Sequence, residues 1–166
     1  MIRKFPLALP TSFALPVILT LGACSGPNDP EAAARGSETA LSPEKTKALA
    51  QCGDGAQQLG RVSFATDVQP ILDMNCVACH QAAAPEHDLV LETGLSYQSM
   101  VGRTAVEVKM PVVLAGNPQQ SYLYHKIAGT HLGVGGKGAR MPLGGQLDVN
   151  SIQKICSWIA IGAAKD

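Results

Sequence analysis

Large aromatic side chains are scarce in this chain: one Trp, three Tyr and three Phe in 166 residues. So few rings exclude a core built mainly on aromatic packing. An excess of charge of one sign is missing too. Thirteen Lys and Arg balance thirteen Asp and Glu, and no basic stripe is present, so electrostatic capture of nucleic acid is excluded. There is no second Cys/His pair at ligand spacing, which leaves no zinc ribbon or finger. No βαβ pattern surrounds the one close cysteine pair, which argues against a thioredoxin-like dithiol. Acidic residues are scattered, and His87 has no partner that would complete a triad. Beyond the first 24 residues no apolar run approaches the ~20 residues of a membrane-spanning helix.

What is present is concentrated in one pentapeptide. Cys76-Val77-Ala78-Cys79-His80 reads C-x-x-C-H, the attachment sequence of a c-type haem. The spacing serves the chemistry. Two thiols add across the two vinyl groups of one porphyrin, and the adjacent histidine then lies below the iron as its proximal ligand. Covalent attachment lets a small protein hold a cofactor without a deep pocket, and the redox chemistry belongs to that cofactor. A dithiol pair or half a zinc site are the plainer alternatives. A large flat haem supplies apolar surface that these side chains do not, so a poorly folded apoprotein is expected.

The first residues suggest a compartment. Arg3 and Lys4 form a positive start, residues 5–21 are mostly apolar, and Leu21-Gly22-Ala23-Cys24 closes the stretch. This is a secretory leader. L-G-A-C resembles the bacterial lipobox, which implies cleavage after residue 23 and acylation of Cys24. Plain secretion or a retained anchor are the alternatives, although Pro6, Pro10 and Pro16 interrupt the run. Ser25 after Cys24 favours the outer membrane by resemblance to enteric sorting rules. The expected location is therefore the periplasm or cell surface, on a lipid anchor.

With Cys24 acylated and Cys76 and Cys79 on haem, Cys52 and Cys156 remain out of five cysteines. An even remainder in an oxidising compartment suggests a disulfide; two buried thiols are the alternative. Loss of Arg3 and Lys4 with the leader leaves 11 basic against 13 acidic residues, a net charge of −2. Mild acidity suits transient docking without naming a partner.

Three segments follow from the pattern: a leader over 1–23, a flexible tether over 24–41 rich in Gly, Pro, Ala and Ser, and one domain over 42–166. Ser42-Pro43-Glu44 reads as a helix start, with Pro at the first helical position. Thr66 or Asp67 is expected to cap a second helix carrying Val68, Ile71 and Leu72 on one stripe. Residues 81–88 read as a polar, Ala-rich loop, and Leu89-Val90-Leu91 could pass for a strand. Leu95 to Val101 suggests a short helix. Asn117-Pro118 begins another, ending at Gly129, with Lys126 expected to be solvated at its tip. Asp148 or Asn150 caps a last helix with Ile152, Ile155, Cys156 and Ile159 on one face.

Phe64, Asp67 to Leu72 and the C-x-x-C-H run, with Ala115-Gly116-Asn117-Pro118, Arg140-Met141-Pro142 and the closing Ile155, Trp158 and Ile159, resemble small mono-haem cytochromes c. The likeness is to the planctomycete cytochrome c-like domain, over about residues 62–164. It implies an all-α class I cytochrome c fold, about four to five helices around one covalent haem, the helix before Cys76 crossing the last one. In that family a methionine before the last helix binds the iron opposite the histidine, and Met141 fits. Met110, followed by Pro111, is the alternative, and His125, His131 or an open position complete the options. Met74 and Met100 read as packing residues. Arg140 is a candidate partner for a haem propionate, or a solvated guanidinium. The expectation is one-electron transfer between a donor and an acceptor protein, without enzyme activity. A haem enzyme with a labile sixth site (peroxidase-like) and a haem subunit of a larger oxidoreductase are the alternatives.

Overall fold

The computed structural model describes Pro43, residues 51–53 and residues 59–166. The chain divides into two units, Met1–Thr39 and Ala40–Asp166, and every described residue belongs to the second. The expected leader over 1–23, the acylated Cys24, Ser25 and the tether over 24–41 lie outside the described residues. So does most of the helix expected from Ser42, although Pro43 itself is helical.

The first well-described element begins earlier than the cap signals suggest. Ser63 accepts from the Thr66 amide at 3.2 Å, and Asp67 accepts from the Ser63 amide at 3.0 Å. This reciprocal pair does the work of a capping box. The turn Phe64–Val68 is a wide π-type turn that runs into α1, Gln69–Asn75. Pro70 offers no N–H there, and the ladder leaves the α register just ahead of it. Val68, Ile71 and Leu72 are buried along one stripe.

A correction to the all-α expectation follows at once. After Cys79 the chain forms a hairpin of β1, His80–Gln81, and β2, Ala84–Pro85, with His80 opposite Pro85. The fold is helix-rich with a small sheet, and is not plainly all-α. Two-residue strands are too short to show any alternation in sequence, so this stretch read as a loop. Leu89 to Leu91 pairs with no strand; instead its backbone packs beside His80 through the Leu91 amide, 2.7 Å from the His80 carbonyl.

Helix α2, Ser96–Met100, is tied to α1 by buried polar groups. Gln69 donates to the Leu91 carbonyl at 3.0 Å and accepts from the Ser96 hydroxyl. Helix α3, Tyr122–Ala128, follows a single 3-10 turn capped by Asn117, and ends at Gly129. Gly129 takes φ +79°, the left-handed stop that glycine adopts without penalty. Helix α4, Val149–Ala160, is capped by Asp148, which accepts from the Ser151 amide at 2.9 Å.

The scarce rings converge where the π-turn meets α4. Phe64 lies 5.0 Å from Trp158 and 5.4 Å from Tyr97, centre to centre. Ile155, Trp158 and Ile159 of α4 join Val68 of the π-type turn, Ile71 and Leu72 of α1 and Leu123 and Ile127 of α3 in one core. Cys52 and Cys156 are joined by a disulfide. Among the described residues, no helix is long and apolar enough to cross a membrane. Met100 is fully buried, but Met74 is 78% exposed and so does not pack the core as its helical setting suggested.

Candidate functional site

The C-x-x-C-H run is a continuation of α1. The Cys76 amide bonds the Leu72 carbonyl at 2.8 Å, and the amides of Cys79 and His80 both return to the Cys76 carbonyl. Positions i, i+3 and i+4 of such a turn share a face. Cys76, Cys79 and His80 therefore line one cleft together. Its volume of about 470 Å³ falls within the range of roughly 300–1,000 Å³ common to small-molecule and cofactor sites.

His80 is oriented by its neighbours. Its Nδ1 lies 3.1 Å from the Leu89 carbonyl. A carbonyl only accepts, so Nδ1 must carry the proton, and Nε2 keeps the lone pair that a metal needs. Nε2 has no hydrogen-bond partner among the described residues. The backbone of His80 is held as well, paired with Pro85 in the β1–β2 hairpin and accepting from the Leu91 amide at 2.7 Å.

Both thiols are free, Cys76 half-buried and Cys79 exposed. Burial, and then the nearby Cys79, push the Cys76 thiol up to about 11. A catalytic dithiol needs the opposite shift, toward thiolate at neutral pH. Among the described residues no three His, Cys, Asp or Glu side chains gather into a metal-holding group. A metal already bound in a macrocycle would need only one or two protein donors, and His80 Nε2 could serve as one.

Part of the same lining comes from the loop before α4. Gly138, Ala139, Met141, Pro142 and Leu143 line the cleft, and Met141 thus shares it with His80. Met110 does not line it. Nor do His125 and His131. The first is buried and engaged at both nitrogens, by Thr130 at 2.8 Å and the Gln119 carbonyl at 2.9 Å. Arg140 is also outside the lining: its Nε donates to the Ile127 carbonyl at 2.8 Å and its guanidinium reaches Gln146 at 2.9 Å. The cleft's cations are Arg103 and Lys126 instead.

A polar cluster in this cleft was not visible in the sequence. Glu107 accepts from the Tyr122 hydroxyl, pairs with Lys126 Nζ at 3.3 Å and meets His87 Nε2 at 3.9 Å. Lys126 is correspondingly mostly buried, against the expectation of a solvated tip, because Glu107 and the Lys137 carbonyl hold its ammonium. The i, i+4 spacing of Tyr122 and Lys126 hinted at a shared face; nothing local marked Glu107. Desolvation alone would raise the Glu107 carboxyl. Hydrogen bonds from Tyr122 and Lys126, with the charges of Lys126 and His87, outweigh it and hold the group below its ordinary value of 4.5. Burial and the same carboxylate push the Tyr122 hydroxyl up, so it remains a donor. A carboxylate depressed in the folded state stabilises the fold above its unfolded value and loses that contribution as pH falls. Acid unfolding followed by circular dichroism is therefore expected to show wild type losing stability below about pH 4.5 more steeply than Glu107→Gln.

No family model matches the chain, and no curated protein does. Among solved structures, a chain of Kuenenia stuttgartiensis hydrazine synthase is similar, with 23% identity and a TM-score of 0.42. The match covers 64% of this chain and 16% of that one, a likeness too slight to assign an activity. It nevertheless corrects one expectation: the matched chain bears an enzyme's name, so the exclusion of enzyme activity drawn from sequence is withdrawn.

Proposed function

We propose that this chain holds one covalent haem c and passes single electrons between partner proteins from a lipid tether at Cys24. The observation that carries this reading is the Nδ1 tether of His80 to Leu89, which leaves Nε2 free in a cleft shared with Cys76, Cys79 and Met141. Such a group supplies an iron that changes by one electron between ferric and ferrous. Cys76 and Cys79 would hold the porphyrin through thioether bonds. His80 Nε2 and the Met141 thioether would be the protein donors to its iron, and Val112, Leu123 and Ile127 on the cleft wall would keep water from it. The backbones of His80 and Met141 are both hydrogen-bonded to neighbouring segments, which would keep these donors in place through a change of charge on the group.

The packing of the Phe64–Val68 turn against α4 is in keeping with a class I cytochrome c arrangement, to which the β1–β2 hairpin is an addition. The lipobox resemblance supports attachment to a bacterial membrane facing the periplasm or the outside, the outer membrane by Ser25. The donor and acceptor would be redox proteins at that surface.

The test is a mass. Protein matured in a host that attaches c-type haem is expected to carry one haem through denaturation, seen by intact-mass measurement and haem staining. A colourless product with the bare polypeptide mass defeats the proposal. A second reading draws on Glu107, which lines the same cleft as Met141 and could hold or release a proton for a bound substrate. In that reading Met141 is displaced and the chain is a haem enzyme. A high-spin ferric spectrum with ready cyanide binding would favour it.

A further inference from the structure

The segment bearing Met141 is fastened to its surroundings at four points, at residues 137, 138, 140 and 141. Lys126 Nζ donates to the Lys137 carbonyl at 3.0 Å, and Arg140 Nε donates to the Ile127 carbonyl at 2.8 Å. The Met141 amide donates to the Lys126 carbonyl at 3.0 Å. The fourth point is His131, whose Nε2 lies 3.0 Å from the Gly138 carbonyl. Three of the four draw on α3. The fourth reaches back within the glycine-rich loop itself.

His131 is 3% exposed. Because a carbonyl can only accept, Nε2 carries the ring proton. Nδ1 is then an acceptor, buried and without a hydrogen-bond partner among the described residues. A buried polar atom left unpaired is costly. The ring is therefore kept in place for its one donor, and that donor points at the residue where the chain enters the cleft. The loop is closed tightly around it: the Gly136 amide bonds the His131 carbonyl at 2.9 Å. A Cβ at Gly136 would collide with the Tyr122 hydroxyl and lie 2.8 Å from that same carbonyl.

We propose that His131 is a positioning residue for Met141, its Nε2–H fixing Gly138 so that the 137–141 segment presents the methionine thioether to the cleft. The inference rests on the haem reading above. A thioether is a weak ligand, and a chain rich in glycine pays heavily in entropy to offer one. Pre-fastening the segment removes that cost before ligation.

The experiment uses the matured holoprotein and three chains: wild type, His131→Leu and His131→Gln. Leu fills the space without a donor; the Gln amide restores an N–H near the Nε2 position. The readout is the methionine-to-iron charge-transfer band of the ferric protein, with the thermal transition recorded alongside. His131→Leu is expected to lower the ratio of methionine-ligated to open iron about tenfold, the scale one hydrogen bond controls, and His131→Gln to recover most of it. A full band in His131→Leu overturns the proposal, as does a band lost equally in both variants. Should His131→Leu fail to fold, His131→Gln decides: a retained band supports the role and a lost one removes it. Wild type without covalent haem would sink the reading of the cleft itself. Wild type with covalent haem but no methionine band would sink this proposal alone.

Discussion

Met141→Ala is expected to abolish the methionine-to-iron band of the matured, oxidised protein, while Met110→Ala leaves it in place. The two methionines are alike in sequence, each followed by proline and each half-buried. The fold separates them. Met141 lines the cleft that also holds His80, Cys76 and Cys79, and its amide is fixed to α3 at 3.0 Å. Met110 closes a turn in which its carbonyl accepts from Ala105 at 2.8 Å, outside the lining. Loss of a thioether removes a ligand that favours ferrous iron, so the midpoint potential falls as well. The fall should be a sizeable part of the ~0.8 V that axial ligation spans. Equilibrium redox titration measures it. The reverse result, a band lost with Met110 and kept without Met141, would reassign the sixth ligand.

Joint replacement of Cys52 and Cys156 by alanine is expected to lower the melting temperature by about 10 °C. The bridge joins residues 104 apart, from a segment ahead of α1 to the middle of α4. Closing a loop of that length removes a large share of the denatured chain's freedom, for a stabilisation of roughly 2–5 kcal/mol. Both cysteines are buried, and they pack with Ala160 in a small cluster of their own beside Tyr124 and Ile161. Little core volume changes with Ala in their place, so the loss reports the cross-link rather than a cavity. Thermal melts of the oxidised holoprotein and of the double variant supply the comparison. A difference under about 2 °C would show that the reduced chain keeps these segments together without the bond.

What could be read in advance follows the range of each interaction. The C-x-x-C-H face, the α1 stripe, the Asn117 and Asp148 caps and the Gly129 stop are all set within four residues, and the structure contains each of them. The helix start at Ser63 was misplaced by a few residues because both Thr66 and Asp67 look like caps, yet Asp67 serves as the return partner of Ser63. The β1–β2 hairpin left no signal, being only two residues on each side. Glu107 was invisible for another reason. Its role arises from Tyr122 and Lys126 on a helix more than a dozen residues later, and from His87 on the other side in sequence. Arg140 carries a charge beside Met141, which invited a role toward the cofactor; the fold spends it on the Ile127 carbonyl and Gln146.

Trp158 is the only indole in the chain and has no exposed surface, enclosed by Phe64 and Tyr97 with its N–H on the Ala164 carbonyl at 2.9 Å. The molecule thus carries a single internal lamp. Its emission colour tracks wetting of the core, whereas its brightness falls when a porphyrin close by drains the excited state. One fluorescence spectrum can therefore distinguish a chain that has come apart from one that is intact but empty.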